Sequence, residues 1–418
     1  MRENQSTKRT RKYIDRRTLL KTGAVGAAGL AMGSGFASAR LESNDEPLRG
    51  SNVHTVTSSG GAEISEKQRH EIRTRAVRDY EQKNGRSVDA IGVSKPQANE
   101  SNVVAYAYGL DANGRAHSYV GLAGEDTTRA EMQSGRAEAL IHNRFDRRVS
   151  ELSSNIKASE QQVTTMAGGT VTDTENMEQF GKFDLEYASD PYGVVGMTNY
   201  WFKDTTNSSE ADAHAFHTPA GYEPGTQAFG SEYKNDWGRV FHRWNKCEMG
   251  NTNLDYGQWQ PYGTKSGSTT QGYSVSVSVG YETGYATAGL SWSYSQPNVE
   301  VVDESSAYNT YNQWHLKLNS DWDDDTRTNF IGFQPSSTVS TDDWESSMGE
   351  KDICELRSRR GSTTGIATSD GCGRGIHTRS CLPDISRTDT SNGAHSIRMH
   401  LTTRRHLFSV RSTVVSSC

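Results

Sequence analysis

One short segment of the chain carries three side chains that are typical metal ligands. Glu210, Asp212 and His214 alternate, and alternate residues of a β-strand share one face. Two carboxylates and an imidazole on one face would begin a metal site, but zinc needs three or four convergent protein ligands. No HExxH motif accompanies them. A hydrated strand face is therefore the main interpretation, and a metal site is the alternative.

A second acidic group alternates further along the chain. Its members are Asn319, Asp321, Asp323 and Asp325. Alternating oxygens begin a calcium loop, but that loop also needs Gly at its sixth position and Glu at its twelfth. This chain has Asp324 and Phe330 there. Calcium is thus an alternative to a salt-hydrated acidic loop, and no other cofactor is evident.

Motifs for covalent catalysis are missing from the sequence. There is no GxSxG nucleophile elbow and no P-loop. Ser231 and Lys234 have SxxK spacing but lack the companion motifs of that catalytic set. These absences favour a protein that is not an enzyme. A hydrolase without a recognisable motif, such as one with paired carboxylates, stays as a second alternative.

The most distinctive pattern lies in residues 272–294. Apolar and serine residues alternate on both sides of Glu282, which is the one charged residue of the segment. The pattern suits an ordinary amphipathic hairpin with one buried face, which is the main interpretation. It also suits a membrane-inserting hairpin, because transmembrane strands need about nine to eleven residues. The apolar positions of that alternative are Val275, Val277, Val279, Leu290 and Trp292.

The first 39 residues have the organisation of a secretory signal. A basic start with Arg16 and Arg17 precedes a weakly apolar run that closes with Ala37-Ser38-Ala39. The stretch resembles twin-arginine signals, which export proteins that are already folded. The expected partner is the twin-arginine export machinery, and the expected location is secreted and extracellular after cleavage before Arg40.

Charge is distributed unevenly along the chain. Residues 1–40 carry nine Lys or Arg and two Asp or Glu, and residues 351–418 carry eleven and five. The remaining residues, 41–350, therefore carry 25 and 44, a net charge of −19, and only ten of the 25 are Lys. The acidic side chains of such a segment repel one another at low salt. Molar salt shortens the Debye length to about 3 Å and screens that repulsion. The segment is also a poor partner for nucleic acid.

Two passages are similar to parts of uncharacterised, twin-arginine-exported secreted proteins of salt-loving (halophilic) archaea. They are GYEPGTQAFGSEYKNDWGRVFHRW (221–244) and AGLSWSYSQPNVEVVDESS (288–306). The acidic, Lys-poor composition agrees with that family. The resemblance covers residues from roughly 180 to 345, implies a secreted β-rich domain, and transfers no catalytic residue.

The last segment, residues 351–418, differs from everything before it. It has a net charge of +6, contains no Trp or Tyr, and holds four of the five cysteines. An acidic, GC-rich gene read out of frame yields many Arg, Thr and Ser codons. We therefore predict a low-order basic tail and hypothesise that it is frameshifted. A genuine basic tail stapled by disulfides is the alternative.

Hydrophobic periodicity predicts a helix over 62–84, a hairpin over 103–122 around Asn113-Gly114, and a helix over 128–157. Short alternating strands follow. The predicted organisation is a signal peptide (1–39), a linker (40–61), a small α+β module (62–160), a β-rich domain (176–345) and the tail. The expected fold class is therefore α+β, with a helix–hairpin–helix module followed by an all-β antiparallel sandwich or barrel.

The expected function is a secreted, non-catalytic protein that binds an unknown extracellular ligand or associates with the cell surface. The alternative is a secreted toxin-like or pore-forming protein that uses the hairpin at 272–294. A membrane is an expected partner only under that alternative.

Overall fold

The computed structural model is mostly β-strand. It describes residues 53–58, 62–88, 90–97, 101–125, 135–161, 173–175, 177–204, 211–244, 255–266, 269–278, 285–294, 299–318, 324–342, 350–363 and 394–405. The signal residues Arg16, Arg17, Ala37 and Ala39 lie outside these ranges.

The described helices are α1 (Glu66–Asn84), α2 (Arg136–Gln161), α3 (Gly225–Ala228) and α4 (Asp324–Thr328). The first ten strands are β1 (Val53–Thr57), β2 (Ala90–Gln97), β3 (Ser101–Leu110), β4 (Ala116–Glu125), β5 (Asp173–Glu175), β6 (Met177–Asp190), β7 (Gly193–Asp204), β8 (Ala211–His217), β9 (Ala220–Pro224) and β10 (Lys234–Arg243). The others are β11 (Asp255–Gln260), β12 (Lys265–Ser266), β13 (Thr269–Ser278), β14 (Tyr285–Tyr294), β15 (Val299–Asp303), β16 (Tyr311–Leu318), β17 (Ile331–Phe333), β18 (Ser336–Asp342), β19 (Glu350–Thr363) and β20 (Ala394–Arg405).

These strands form three sheets. The largest has ten strands, with the path β1-β3-β4-β6-β7-β8-β18-β11; in addition β9 pairs with β7, and β17 pairs with β9. A second sheet has seven strands in the order β12-β15-β16-β10-β19-β20-β2. The third contains only β13, β14 and β5, and we call it the hairpin sheet.

The predicted fold class is wrong. The hairpin β3–β4 is not part of a separate helix–hairpin–helix module, because β3 pairs with β1 and β4 pairs with β6. The β4–β6 pairing is parallel, so the sheet is mixed rather than antiparallel. Strand β1 also lies within the segment that was expected to be a linker. Hydrogen bonding along both edges of the hairpin makes it an internal part of the largest sheet.

The two long helices cover opposite faces of the ten-stranded sheet. Helix α1 packs on the face that carries Tyr106 and Tyr108, and α2 packs on the face that carries Ala105 and Ala107. Alternate residues of β3 point to opposite faces, which explains this division. Ser65 caps the start of α1 with a capping box.

The two large sheets face each other around an aromatic core. Trp201 and Phe216 belong to the ten-stranded sheet, and Trp314 belongs to the seven-stranded sheet. All three belong to one hydrophobic cluster and are fully buried. Large rings of this kind bury much apolar area while their N–H groups keep hydrogen-bond partners, so most of the described tryptophans are core residues.

The segment predicted to be a low-order tail contributes two strands. Strand β19 pairs with β10 on one side and with β20 on the other. Alternate residues of β19 are buried, namely Cys354, Leu356, Ser358 and Arg360. Burial lowers the pKa of Arg360 to about 9, and its guanidinium donates to the backbone carbonyl oxygens of Tyr192 and Glu223.

Candidate functional site: the hairpin sheet

The hairpin sheet is built on two paired arms of equal length. Strands β13 and β14 have ten residues each and pair in an antiparallel register from Thr269↔Tyr294 to Ser278↔Tyr285 without a bulge. Neither strand contains a charged residue. Of the predicted hairpin residues, Val275, Val277, Leu290 and Trp292 lie in these strands, and Val279 lies outside the described residues.

The register separates apolar and polar residues. Directly opposite residues of antiparallel strands share a face. Val275 stands opposite Ala288 and Val277 stands opposite Ala286. On the other face, Ser276 stands opposite Thr287. The alternation seen in the sequence is therefore kept from Gly272↔Ser291 to Val277↔Ala286, which gives this part of the hairpin one apolar face and one face of small residues. The pairs Gln271↔Trp292 and Ser278↔Tyr285 depart from the pattern.

The hairpin has little backbone pairing to the rest of the protein. Among the described residues it pairs outside itself only with β5, through Thr287↔Glu175, Ala288↔Thr174 and Gly289↔Asp173. Strand β13 lies beside β11 and β18 of the ten-stranded sheet without joining it. Two ten-residue arms are thus hydrogen-bonded to the rest of the described chain through one three-residue strand.

The metal hypothesis on strand β8 receives a different structural explanation. His214 is fully buried, and its Nδ1 accepts a hydrogen bond from the Trp201 indole at 3.2 Å. Asp212 is buried with the ammonium of Lys203 at 3.8 Å. Glu210 lies outside the described residues. Within the described ranges no group of three or more His, Cys, Asp or Glu side chains is arranged to hold a metal ion.

The acidic loop of the calcium hypothesis lies largely outside the described residues. Asp321 and Asp323 are not described, and Asp325 belongs to the short helix α4. The structure therefore leaves the calcium hypothesis as a prediction from the sequence.

Two further histidines, His242 and His217, form a buried polar group with serine and threonine hydroxyls. His242 Nδ1 lies 2.7 Å from Ser337 Oγ, and His242 Nε2 lies 2.8 Å from Thr218 Oγ1. His217 Nδ1 lies 2.8 Å from Ser336 Oγ. Burial lowers the pKa of His242 to about 3 and that of His217 to about 4. Only pairing between distant strands brings these residues together, so local spacing contains no signal for them.

One cluster has the residue types of a nucleophile triad but not its geometry. Ser58 Oγ donates to Glu138 Oε1 at 2.6 Å and lies 3.4 Å from His142 Nε2. The same Nε2 lies 3.0 Å from the carbonyl oxygen of Val104. A nitrogen that donates to a carbonyl cannot also accept the serine proton. The cluster therefore ties β1 to α2 and does not activate a serine.

A buried ion-pair network fixes α2 to the ten-stranded sheet. The Arg144 guanidinium lies 2.6 Å from Glu186 and 2.8 Å from Glu223. Glu186 also accepts from the Tyr119 hydroxyl at 3.2 Å. Burial alone raises the pKa of Glu186, but Arg148 and Arg144 outweigh it and the pKa is lowered. Each charged side chain of the network contacts an opposite charge, and Glu223 Oε1 is the one carboxylate oxygen of the network without a hydrogen-bond partner in the described structure. The network therefore ties the helix to the sheet and is structural.

Helices long and apolar enough to cross a bilayer do not occur among the described residues.

No family model matches the chain, and no curated protein matches it. Several solved structures are similar to part of it, including the following two. Clostridium perfringens delta-toxin has a TM-score of 0.29 and 11% identity over 48% of this chain and 85% of its own. A structure titled "Pore forming protein" has a TM-score of 0.27 and 11% identity over 46% and 84%. Both TM-scores are low, so we draw no function from these likenesses.

Proposed function

We propose that this protein is a secreted pore-forming protein that inserts the hairpin β13–β14 into a target membrane. The observation that carries the proposal is the register of the hairpin, which over the pairs from Gly272↔Ser291 to Val277↔Ala286 aligns apolar with apolar and small with small residues, within two uncharged ten-residue arms. A strand in a pore needs this arrangement, because one face meets lipid and the other meets water.

The length of the arms supports the same proposal. Ten residues at about 3.3 Å per residue extend about 33 Å. Tilted by about 45°, they span about 23 Å along the bilayer normal, close to the apolar band of about 25 Å in transmembrane strands. Glu282, the nearest charge, belongs to the segment that connects the arms. It would lie at the far membrane surface, where charge is tolerated.

Release of the hairpin would break little backbone hydrogen bonding, although β13 would also have to leave its places beside β11 and β18. Its pairing with the rest of the described chain consists of three residue pairs with β5. If several hairpins insert side by side, the backbone N–H and C=O groups along both edges of each hairpin pair with its neighbours, because backbone polar groups in lipid need hydrogen-bond partners. A non-catalytic binding protein would use the same alternation as an ordinary amphipathic hairpin with one buried face, and the leakage experiment below distinguishes the two functions.

Export precedes this activity in the proposal. Arg16 and Arg17 would direct the folded chain through the twin-arginine route, as in the halophilic family it resembles. Replacing both by Lys should leave the protein inside the cell. Undiminished protein in the medium would reject this route.

Vesicle leakage tests the pore. The mature chain is added to dye-filled phosphatidylcholine vesicles in molar KCl, and dye release is measured for two neighbouring substitutions. Val275→Lys places a charge on the apolar face near the middle of the arm, where it costs about 2–4 kcal/mol at the bilayer centre and should slow release at least about tenfold. Ser276→Lys, on the other face, should retain release.

Both variants are first compared with the wild type by circular dichroism melting, so that loss of release is separated from loss of the fold. Equal release by the two folded variants, or no release by the wild type, would reject the pore.

A further inference from the structure

Two tyrosines are exposed on tight turns beside the seven-stranded sheet. One turn leads from β11 of the ten-stranded sheet into the edge strand β12, and the other joins β15 to β16. Tyr262 is 64% exposed and follows β11, and Tyr308 is 96% exposed in the turn between β15 and β16. Together with Phe330, which is 39% exposed, they are the large exposed hydrophobic side chains among the described residues. Singly exposed rings are ordinary, whereas rings that share one end of a sheet can form an apolar contact surface.

The first turn is fixed from beneath by the sheet. Asp303 Oδ2 accepts from the Trp259 indole at 2.9 Å and from the Gly263 N–H at 3.1 Å. The buried Trp314 indole donates to the carbonyl oxygen of Pro261 at 3.0 Å. The Tyr262 ring lies 5.6 Å from the Trp259 ring, centroid to centroid. The turn therefore presents its aromatic tip in one orientation.

The second turn is also closed by its own hydrogen bonds. Ser306 and Tyr311 form a backbone bridge, and the Ser306 hydroxyl accepts from the N–H and the side-chain amide of Asn309. Thr310 has a φ of 51°, a left-handed conformation that the tight turn requires. Asp303 and Trp314 stand opposite each other in β15 and β16, and both hold the first turn. Asp303 is also the last residue of β15, directly before the second turn. The two turns therefore lie at the same end of the sheet.

Both turns are joined to the roots of the hairpin by short edge strands. The chain runs from Tyr262 through β12 into β13, and from β14 through β15 to Tyr308. Strands β12 and β15 pair with each other through Lys265↔Val301 and Ser266↔Glu300. At about 3.3 Å per residue, the five residues of β15 separate the turns from the hairpin roots by roughly 17 Å.

From this arrangement we infer that the turns carrying Tyr262 and Tyr308 form a docking surface for the headgroup layer of a lipid bilayer, ahead of hairpin insertion. This inference rests on the proposed pore function and names its first contact. Tyrosine and tryptophan are enriched at membrane interfaces because their rings have an apolar body and a polar end. Pre-formed turns lose little conformational entropy on binding.

The neighbouring polar groups favour a lipid surface over a polysaccharide. Asp303 Oδ1 accepts from the Ser305 N–H, and Gln260 Oε1 accepts from the Tyr262 N–H. Both carboxylate oxygens of Asp303 and the amide oxygen of Gln260 are thus already used to hold the turns. A sugar site needs such oxygens for hydroxyl groups, whereas a ring in a headgroup layer does not.

Vesicle binding and dye release, measured separately, test the docking surface. Flotation with neutral phosphatidylcholine vesicles in molar KCl measures binding, since salt screens the acidic body. The double variant Tyr262→Ser/Tyr308→Ser should bind at least about tenfold more weakly, because two rings lose their apolar contact. Tyr262→Trp/Tyr308→Trp should bind at least as tightly as the wild type. Phe330→Ser, on the ten-stranded sheet, is the matched control and should leave binding unchanged.

The outcomes separate docking from pore formation. Binding that depends on the two tyrosines, without any dye release, supports the docking surface and rejects the pore. Dye release with unchanged binding by the double serine variant supports the pore and rejects this docking surface. If the wild type does not bind vesicles, docking is rejected. Docking is also rejected if the double serine variant still binds vesicles but no longer binds an insoluble polysaccharide that the wild type binds.

Discussion

His242 and His217 make the stability of the two-sheet core depend on pH. Each is fully buried, and burial lowers its pKa from an ordinary value of 6.5 to about 3 and about 4 respectively. A lowered pKa means that the unfolded chain binds the proton more tightly than the folded chain. The stability that these neutral rings provide is therefore complete above pH 6.5 and is lost as pH falls toward 4, by up to about 1.4 kcal/mol per pH unit and histidine.

Urea unfolding between pH 8 and pH 4 measures this dependence. His242→Gln keeps hydrogen-bonding capacity toward Ser337 and Thr218 but cannot be protonated. We expect its free energy of unfolding to fall less steeply below pH 6.5 than that of the wild type. Carboxylates titrate in both proteins, so the difference between the two slopes belongs to His242. Parallel slopes would contradict the prediction.

Arg144 illustrates a buried charge that needs its partners. Arg144→Leu leaves Glu186 and Glu223 buried without the guanidinium that contacts both. Removing one partner of a buried pair costs about 3–5 kcal/mol, so we expect a loss of this size in the free energy of unfolding. Arg147→Leu is the control on the same helix, because its pair with Glu151 is exposed at 3.9 Å and is worth at most about 1 kcal/mol. Similar losses for both variants would show that the network is not the cause.

Among the elements, β5 is expected to control release of the hairpin. Thr174 stands directly opposite Ala288, a position from which paired cysteines can bridge adjacent strands. In Thr174→Cys/Ala288→Cys, oxidation should block dye release and reduction should restore it. Ser276→Cys/Thr287→Cys joins the two arms to each other and should release dye when oxidised. Release by the oxidised Thr174–Ala288 bridge would show that the hairpin acts without leaving β5.

The elements also show which parts of the fold are readable from the sequence. Local signals predict α1, which ends before the left-handed Gly85, and the hairpin around Gly114. The parallel pairing of β4 with β6 joins segments separated by α2, so spacing along the chain cannot reveal it. The candidate site divides in the same way. Alternation predicts the two faces of the hairpin, but nothing local predicts its pairing with β5.

At the scale of the whole molecule, the frameshift hypothesis concerns how the seven-stranded sheet is completed. Strand β19 pairs with β10, and its buried side chains lie in the core between the seven-stranded and ten-stranded sheets. They are Cys354, Leu356, Ser358 and Arg360. The hypothesis predicts that another reading frame after codon 345 encodes an acidic, tryptophan-rich continuation. Sequencing the gene tests it. If no frame restores such a continuation, the hypothesis is rejected and β19 and β20 are native strands.

The acidic body should make the stability of the entire protein depend on salt. The net charge of −19 over residues 41–350 is opposed by only ten lysines and fifteen arginines. Like charges on a folded protein repel one another, and the repulsion is released when the chain expands. Raising KCl from about 0.1 M to about 1 M shortens the Debye length from about 10 Å to about 3 Å, so the melting temperature should rise steeply.

Circular dichroism melts in KCl measure this rise in melting temperature, and a sucrose series is the control for general exclusion of a solute from the protein surface. A melting temperature that does not change with KCl, or that rises equally in sucrose, would reject charge screening and with it the halophilic interpretation of the composition.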